Sequence, residues 1–376
     1  MDQVPVALSL ATVFAEGTPF SAPPSGRTRF RHSLAVGDPQ APLESLLEIL
    51  ASRDLLADHG MLRDDVRLVS IGDHFDWGPV RDRARAAYDG LRTIAWLAAH
   101  PADQVLILAG NHDLARVGEL APFSDDRFEQ ARAEADRAYR DKQPSRVEAL
   151  FCAEFDLPSW EVASRDLSAF RSAQRDWVAA LLRAGRLRIA VESSGVLLTH
   201  AGVSTVELDR LALDSRARLD PVAVADALES RFARALRTWR GEPLEIPHLH
   251  APGSAAGEGG GMLYHRFTTH PPDEWSVRED GLRRRAHVSQ LAPGLAQAIG
   301  HIRDKKSLQL LGLDPANATT GVLRTLTVHD GRWRYATGVQ ASPSENAATL
   351  VHLDGAMLDA DPRTYQLFDL EQRAPR

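Results

Sequence analysis

The stretch VRLVSIGDHFD at residues 66–76, together with QVLILAGNHD at residues 104–113, decides the fold. Each begins with a short run rich in Val, Ile and Leu, typical of a buried strand, and ends in glycine followed by polar residues. The carboxyl ends of parallel strands meet at one edge of an open α/β sheet, where ligands bind. The sequence therefore predicts an α/β fold that brings Asp73 and Asn111 together.

Three further motifs repeat this pattern of an apolar run followed by a polar group. They are Gly37-Asp38-Pro39-Gln40, His200-Ala201-Gly202 and Gly300-His301. The run before Gly300 is the weakest, because Gln297 and two alanines dilute it. Together the motifs supply carboxylates, an amide and imidazoles. That set suits two adjacent divalent metals holding a water for attack on phosphorus.

The order of these motifs resembles the calcineurin-like metallophosphoesterase superfamily. Within it, the match is to the phosphoprotein phosphatase branch and its bacterial diadenosine-tetraphosphatase-like relatives. That family has G-D-x-H-G, G-D-x-x-D-R-G, G-N-H-E/D, a later H-G or H-A-G, and finally G-H. The likeness extends over about residues 31–307. It implies a metallophosphoesterase-type β-sandwich flanked by helices, and hydrolysis of phosphate esters by a metal-activated hydroxide.

The resemblance also implies a set of metal ligands in this chain. The expected ligands of the first ion are Asp38, Gln40 and Asp73, and those of the second are Asp73, Asn111, His200 and His301. Asp73 is expected to bridge the two ions, since a shared carboxylate sets a short separation between them. We expect two divalent ions, manganese first and iron or zinc as alternatives.

Two residues are expected to take part in catalysis without binding metal. The family histidine that matches His112 donates a proton to the leaving oxygen, and the carboxylate that matches Asp76 orients that histidine. The arrangement is physically sensible, because a neighbouring carboxylate raises the pKa of an imidazole and keeps it protonated.

Two positions depart from the family pattern. Gln40 stands where most relatives have a first-metal histidine, and Trp77 stands where they have a phosphate-gripping arginine. Tryptophan cannot grip a phosphate, but an exposed indole could stack on an aryl group or a nucleobase. Arg266, in the segment GGMLYHR at residues 260–266, is expected to bind the phosphate instead. Asn111 and Arg116 are further candidates for phosphate contact.

The resemblance, together with the pattern of apolar and turn residues, implies three parts of the chain. Residues 1–30 are expected to be a peripheral segment with an edge strand over Val4 to Phe14, residues 31–340 the metallophosphoesterase domain, and residues 341–376 a C-terminal tail. Residues 124–185 are interpreted as a helical insertion, or alternatively as lengthened crossover helices. Helices are predicted over residues 42–59 and 82–100 and from Asp220, and a hairpin over residues 325–335.

Composition limits the partners of this 376-residue chain. The net charge of −7 gives no electrostatic reason to expect nucleic acid or an acidic membrane. Cys152 is the only cysteine, which excludes an intrachain disulfide and fits a cytoplasmic location. The expected substrate is a phosphate monoester, on a small molecule or a phosphoprotein. A nucleotide or dinucleoside polyphosphate is one alternative, and a metal-binding interaction module with little or no turnover is another.

Overall fold

The computed structural model describes residues 3–375 except 28, 272–277, 279, 341–343 and 345. It is a mixed α/β fold. Its helices are α1 (Gln3–Glu16), α2 (Leu43–Ala51), α3 (Arg83–Ala98), α4 (Asn111–Ala115), α5 (Asp125–Arg140), α6 (Ser145–Phe155), α7 (Ser172–Arg183), α8 (Thr205–Arg210), α9 (Pro221–Thr238) and α10 (Asp304–Leu310). In this part of the chain, no helix is long and apolar enough to cross a bilayer.

The strands are numbered in chain order. They are β1 (His32–Val36), β2 (Val66–Ser70), β3 (Val105–Leu108), β4 (Leu187–Arg188), β5 (Ala190–Ser193), β6 (Val196–Thr199), β7 (His250–Ala251), β8 (Gly260–Gly261), β9 (Arg266–Thr268), β10 (Arg285–His287), β11 (Ala296–Ile299), β12 (Arg324–His329), β13 (Arg332–Thr337), β14 (Ala348–His352), β15 (Phe368–Asp369) and β16 (Ala374–Pro375).

Two six-stranded sheets carry the fold. One has the order β16-β15-β1-β2-β3-β4 and the other the order β13-β12-β14-β11-β6-β5. Strands β1, β2 and β3 are parallel neighbours in the first sheet, as are β6, β11 and β14 in the second. One apolar cluster takes side chains from both sheets, including Val69 and Leu106 from the first and Leu198 and Val351 from the second.

The predicted edge strand near the N-terminus is wrong, because these residues form helix α1. Ala7 and Ala11 are fully buried in the main apolar cluster, which also takes in Val4 and Ala15. Their spacing of about four residues is that of one helix face. The first 30 residues therefore include part of the core.

The hairpin and several helices lie where the sequence predicts them. Strands β12 and β13 pair antiparallel from Arg324 opposite Thr337 to His329 opposite Arg332. Asp330 and Gly331 form the turn with φ of 49° and 72°, which suits the right-handed twist of a two-residue hairpin loop. The helix predicted over residues 42–59 corresponds to α2, which already ends at Ala51. Helix α3 (Arg83–Ala98) matches the helix predicted over residues 82–100 closely.

The prediction of a C-terminal tail is also wrong. Strand β14 lies between β12 and β11, and β15 pairs with β1. The reason lies in the apolar run from Ala347 to Leu353. All of its side chains are buried, including those of the polar residues Thr349 and His352. This run fills the centre of the second sheet.

The helical region at residues 124–185 has two parts. Helices α5 and α6 share an apolar cluster of their own, which includes Phe128, Phe151 and Phe155. Helix α7 instead contributes Trp177 and Leu181 to the main cluster. Helices α5 and α6 thus form a separate small layer next to the site, whereas α7 belongs to the main body.

Candidate metal centre

The predicted ligands follow the carboxyl ends of the parallel strands. Asp38 and Asp73 come after β1 and β2, and Asn111 begins the helix that follows β3. His200 comes directly after β6 and His301 shortly after β11. The His200 Nδ1 atom lies 2.9 Å from the carbonyl oxygen of residue 71, which joins the ends of the two sheets. Residues from both sheets therefore meet at one edge.

The ligands expected for the second ion converge. Ligand atoms of Asp73, His200 and His301 lie within 4.8 Å of one another. The His200 Nε2 atom is 3.1 Å from His301 Nδ1, 3.1 Å from Asn111 Oδ1 and 3.5 Å from Asp73 Oδ2. Because the Ile71 carbonyl can only accept, the proton of neutral His200 sits on Nδ1 and leaves the Nε2 lone pair for a metal. These residues fit a divalent ion.

Of the residues expected at the first ion, Asp38 lies beside His200, whose Nδ1 is 3.9 Å from Asp38 Oδ1. Asp38 Oδ2 accepts a 2.8 Å hydrogen bond from the His301 backbone, whereas its Oδ1 is buried without a hydrogen-bond partner. Burial raises the pKa of Asp38 well above its ordinary value, and the nearby carboxylates of Asp354 and Asp73 raise it further. Gln40 donates from Nε2 to the Phe75 carbonyl at 3.3 Å, which leaves Oε1 as its ligand atom. This electron-rich pocket fits a cation.

The backbone at the site is held in unusual conformations. Asp73, Asp76 and His301 have φ of 53°, 61° and 64°, a left-handed region that costs non-glycine residues about 1–3 kcal/mol. Glycine is required nearby, because a Cβ at Gly110 would collide with Asp73 Oδ1 and a Cβ at Gly300 with Asp38. The unusual backbone conformations and the close approach of the glycines together direct the carboxylates of Asp38 and Asp73 into one small volume.

Asp113 holds these loops together, a role that the sequence analysis missed. Its fully buried carboxylate accepts hydrogen bonds from the backbones of Asp73, His74 and Gly110 at 2.8, 3.0 and 2.8 Å. The His74 ring lies 3.0 Å from Asp113 and 2.9 Å from Ser70 Oγ. The sequence contained a signal for this role, because Asp113 is the fourth residue of the Gly-Asn-His-Asp motif.

His112 and Asp76 form the expected pair. His112 Nδ1 lies 3.0 Å from Asp76 Oδ2, and the His112 backbone donates to Asp73 Oδ1 at 2.9 Å. Burial lowers the pKa of His112, but the charge of Asp73 and the hydrogen bond to Asp76 outweigh it and raise that pKa to about 9. In the metal-free protein these carboxylates favour the protonated imidazole, the form that can act as an acid.

Arg116 lies beneath the cleft rather than in it, which corrects its interpretation as a phosphate-binding residue. The side chain is fully buried. Its Nη1 pairs with Asp76 Oδ2 at 2.6 Å and donates to the His112 carbonyl at 2.9 Å, and its Nε donates to Gln174 Oε1 at 3.2 Å. Arg116 is thus the counter-ion of the carboxylate that holds His112.

Trp77 does not form a wall of the cleft, contrary to the stacking surface inferred from the sequence. Only 6% of it is exposed, and it packs with Ala86, Ala87 and Ala169. The Arg85 guanidinium lies 5.5 Å from the centre of its ring. The indole thus packs against α3 and the segment before α7.

A cleft of about 170 Å³ opens beside His112 and Asn111. Arg266 lines it half-buried and forms no salt bridge among the described residues, but the charge of Asp166, which lines the same cleft, acts on it. Arg284 also lines the cleft but pairs with Glu258. Other lining residues that the sequence analysis did not single out are Glu119, Asp166 and Tyr264. Of the two cleft arginines, Arg266 is thus the one without a described salt bridge.

Comparison with known proteins gives little guidance. No protein-family model and no curated protein matches the chain. The chain is similar to the solved structure of a cold-active protein-tyrosine phosphatase of a psychrophile, Shewanella sp., with 12% identity, 96% of this chain and 80% of that chain covered, and a TM-score of 0.34. For a structure of a cold-active protein tyrosine phosphatase at 1.1 Å, the identity is 16%, the coverage 62% and 59%, and the TM-score 0.29. This chain thus spans about three fifths of that second protein. Its function is argued below from its own residues.

Proposed function

We propose that this protein is a metal-dependent phosphatase that hydrolyses phosphate monoesters. The supporting observation is the convergence of Asp73, His200 and His301 beside the paired His112 and Asp76. A module that only binds metal needs the ligands alone, whereas a protonated imidazole next to them suits proton transfer to a leaving group. We also propose that the two sheets form the metallophosphoesterase-type β-sandwich, with residues 124–185 as its helical insertion.

Two groups of residues would hold the ions. Asp38, Gln40 and Asp73 would bind one, and Asp73, Asn111, His200 and His301 the other. Their mixture of carboxylate, amide and imidazole suits manganese, with iron or zinc as alternatives. When bound, such ions polarise the phosphoryl oxygens and lower the pKa of a water so that it can supply the nucleophile.

The remaining residues of the site would bind the phosphate and protonate the leaving group. Asp76 accepts from His112 Nδ1, so the second proton of the imidazolium is on Nε2, from which it can pass to the leaving oxygen. Arg266 forms no salt bridge among the described residues and lines the same cleft as His112, where Asp166 is the carboxylate that a phosphate would have to compete with. A phosphate dianion there would therefore meet a fixed positive charge.

The cleft favours a small phosphate monoester over a dinucleoside polyphosphate. Its volume of about 170 Å³ lies below the roughly 300–1,000 Å³ of pockets for drug-sized ligands. The aromatic side chain among its described lining residues is Tyr264, which is 6% exposed and donates to Glu119 at 2.8 Å. It offers no open face on which a nucleobase could stack.

The first experiment tests metal dependence with an aryl phosphate. We expect hydrolysis with added Mn²⁺, none after chelation, and nearly none for Asp73→Asn, because that change weakens the ligand shared by both ions. Asp330→Asn in the exposed hairpin turn is the matched control and should behave as wild type. Activity that survives both chelation and Asp73→Asn would disprove the proposal. Metal binding without turnover would favour the interaction module.

The second experiment tests the role of His112 as an acid. His112→Gln should lower kcat on an alkyl phosphate by roughly 10²–10⁴-fold, the usual contribution of general acid catalysis. The loss should be smaller on an activated aryl phosphate, whose leaving group needs little protonation. His329→Gln, on the exposed hairpin, is the control. Equal losses on both substrates would assign His112 another role.

A further inference from the structure

The cleft beside His112 contains an accessible carboxylate to which the proposed mechanism gives no role. Asp166 is exposed and lines this cleft together with His112 and Arg266, whose charges act on it. In the part of the chain that the structure describes, no residue donates a hydrogen bond to the Asp166 carboxylate or forms a salt bridge with it. The cleft therefore presents one cation and one anion, Arg266 and Asp166, that are both without a salt bridge among the described residues.

The other two carboxylates that line the cleft are engaged or inaccessible. Glu258 pairs with the Arg284 guanidinium. Glu119 is buried, and its Oε1 accepts hydrogen bonds from the Gly253 backbone at 2.7 Å and from the Tyr264 hydroxyl at 2.8 Å. The second oxygen of Glu119 is also buried away from solvent. Neither carboxylate can meet a ligand unless these contacts break or the surrounding protein moves.

The backbone that carries the accessible carboxylate is tied to the proposed proton donor. Val162–Asp166 form a single π-helical turn, in which the Leu167 backbone donates to the Val162 carbonyl at 2.9 Å. Such single turns occur frequently at functional sites. Three residues after the turn, the Ala169 backbone donates to Asp76 Oδ1 at 3.1 Å, and the other oxygen of Asp76 holds the imidazole. The accessible carboxylate is thus positioned relative to the group that would protonate the leaving oxygen.

The charges of the cleft suit a substrate that carries a cation of its own. A phosphate bound to Arg266 would engage the cation whose charge acts on Asp166, and would place a dianion in the same volume of about 170 Å³. The phosphate and the carboxylate would then repel each other. An ammonium group on the substrate would remove this repulsion by forming a charge-assisted hydrogen bond with Asp166, whereas a neutral alkyl chain would not.

We propose that the substrate is the phosphate monoester of a small amino alcohol, with its phosphate at Arg266 and its ammonium group at Asp166. This proposal rests on the function proposed above and names the leaving group of that reaction. A two-carbon amino alcohol is compatible with the small volume of the cleft. Asp166 would thus determine specificity and take no part in the transfer of the phosphoryl group.

The test compares O-phosphoethanolamine with n-propyl phosphate, in which a methyl group replaces the ammonium group at the same chain length. We expect the full chain with Mn²⁺ to favour O-phosphoethanolamine about tenfold in kcat/KM. This factor is the lower end for one charge-assisted contact, because Asp166 is exposed. Asp166→Asn keeps the shape of the side chain and removes its charge. It should lower kcat/KM for O-phosphoethanolamine about tenfold, and leave kcat/KM for n-propyl phosphate at least as high as in the wild type.

Glu161→Gln is the matched control, because it removes an exposed carboxylate of the same segment that does not line the cleft. The charge of Glu161 also acts on Asp166, and we expect this variant to retain the wild-type preference. Equal kcat/KM of the wild type for the two alkyl esters, or equal losses on both in Asp166→Asn, would overturn the inference. Hydrolysis of an aryl phosphate but of neither alkyl ester would do the same, and the phosphatase proposal would stand. A wild type that hydrolyses none of the three esters with Mn²⁺ would overturn both.

Discussion

The ion pair of Arg116 with Asp76 is expected to stabilise the whole protein. Arg116→Met keeps the length and apolar stem of the side chain but removes the cation. Asp76 would then keep only His112 and the Ala169 backbone, which donates to its Oδ1 at 3.1 Å. Breaking a buried pair by removal of one partner costs about 3–5 kcal/mol when the remaining charge is uncompensated, and because His112 still faces Asp76 we expect a loss of about 3 kcal/mol, the lower end of that range.

The measurement is urea unfolding of the metal-free protein. Since proteins unfold with a free energy of about 5–15 kcal/mol, a loss of this size should move the midpoint strongly. Arg127→Met is the matched control, because Arg127 and Glu154 form a 3.4 Å pair in which both side chains are about half exposed. Such surface pairs contribute at most about 1 kcal/mol.

A double-mutant cycle with Asp76→Asn isolates the pair itself. Once Asp76 is neutral, Arg116→Met should cost clearly less, with a coupling of about 0.5–3 kcal/mol. If Arg116→Met destabilises the protein no more than Arg127→Met does, or if the two changes at the site are additive, the carboxylate that holds His112 does not depend on Arg116.

Three further predictions follow from the structure. Burial holds the pKa of His100 at about 4, below the unfolded value of 6.5, so its contribution to stability is complete above pH 6.5 and is lost as the pH falls towards 4. His100→Gln should flatten urea-unfolding stability over that range by about 1.4 kcal/mol per pH unit, and an unchanged slope would contradict this. Arg266→Ala should lower kcat/KM about ten- to a hundredfold, the effect of one charge-assisted contact. Arg284→Ala should lower it less, because Arg284 is already paired with Glu258. Steady-state kinetics in which both variants lose the same factor in kcat/KM would refute this order. Gly300→Ala should weaken Mn²⁺ binding at least about tenfold, because the methyl group of the alanine would displace Asp38. Unchanged Mn²⁺ binding in a titration followed by electron paramagnetic resonance would show that the loop moves to accommodate the methyl group.

The convergence of Asp73, His200 and His301 was predictable, because each of them follows an apolar run that forms a strand. Asp73 and Asn111 come after the runs of Val, Ile and Leu that form β2 and β3. Parallel strands oblige such residues to meet, whatever the details of packing. The Asp330-Gly331 turn was predictable for the same kind of reason, since few residues accept its backbone conformation.

The errors arose where a residue's neighbours are distant in sequence. Nothing local distinguishes a buried arginine from an exposed one, so the pairing of Arg116 with Asp76 required the fold. Trp77 was expected to be exposed from its position alone, but α3 supplies alanines against which it packs. Strand β14 had a local signal, the apolar run from Ala347 to Leu353, but that run was assigned to a tail.

The pairing of β1 with β15 has a consequence for synthesis of the protein on the ribosome. Leu34 and Ala35 lie opposite Asp369 and Phe368, so one side of β1 lacks its neighbour until residue 369 has emerged. An apolar strand with an open edge invites pairing with other chains. Nascent chains, and chains cut before residue 368, should therefore depend on chaperones and aggregate readily, even though every residue proposed to hold metal is already present in them.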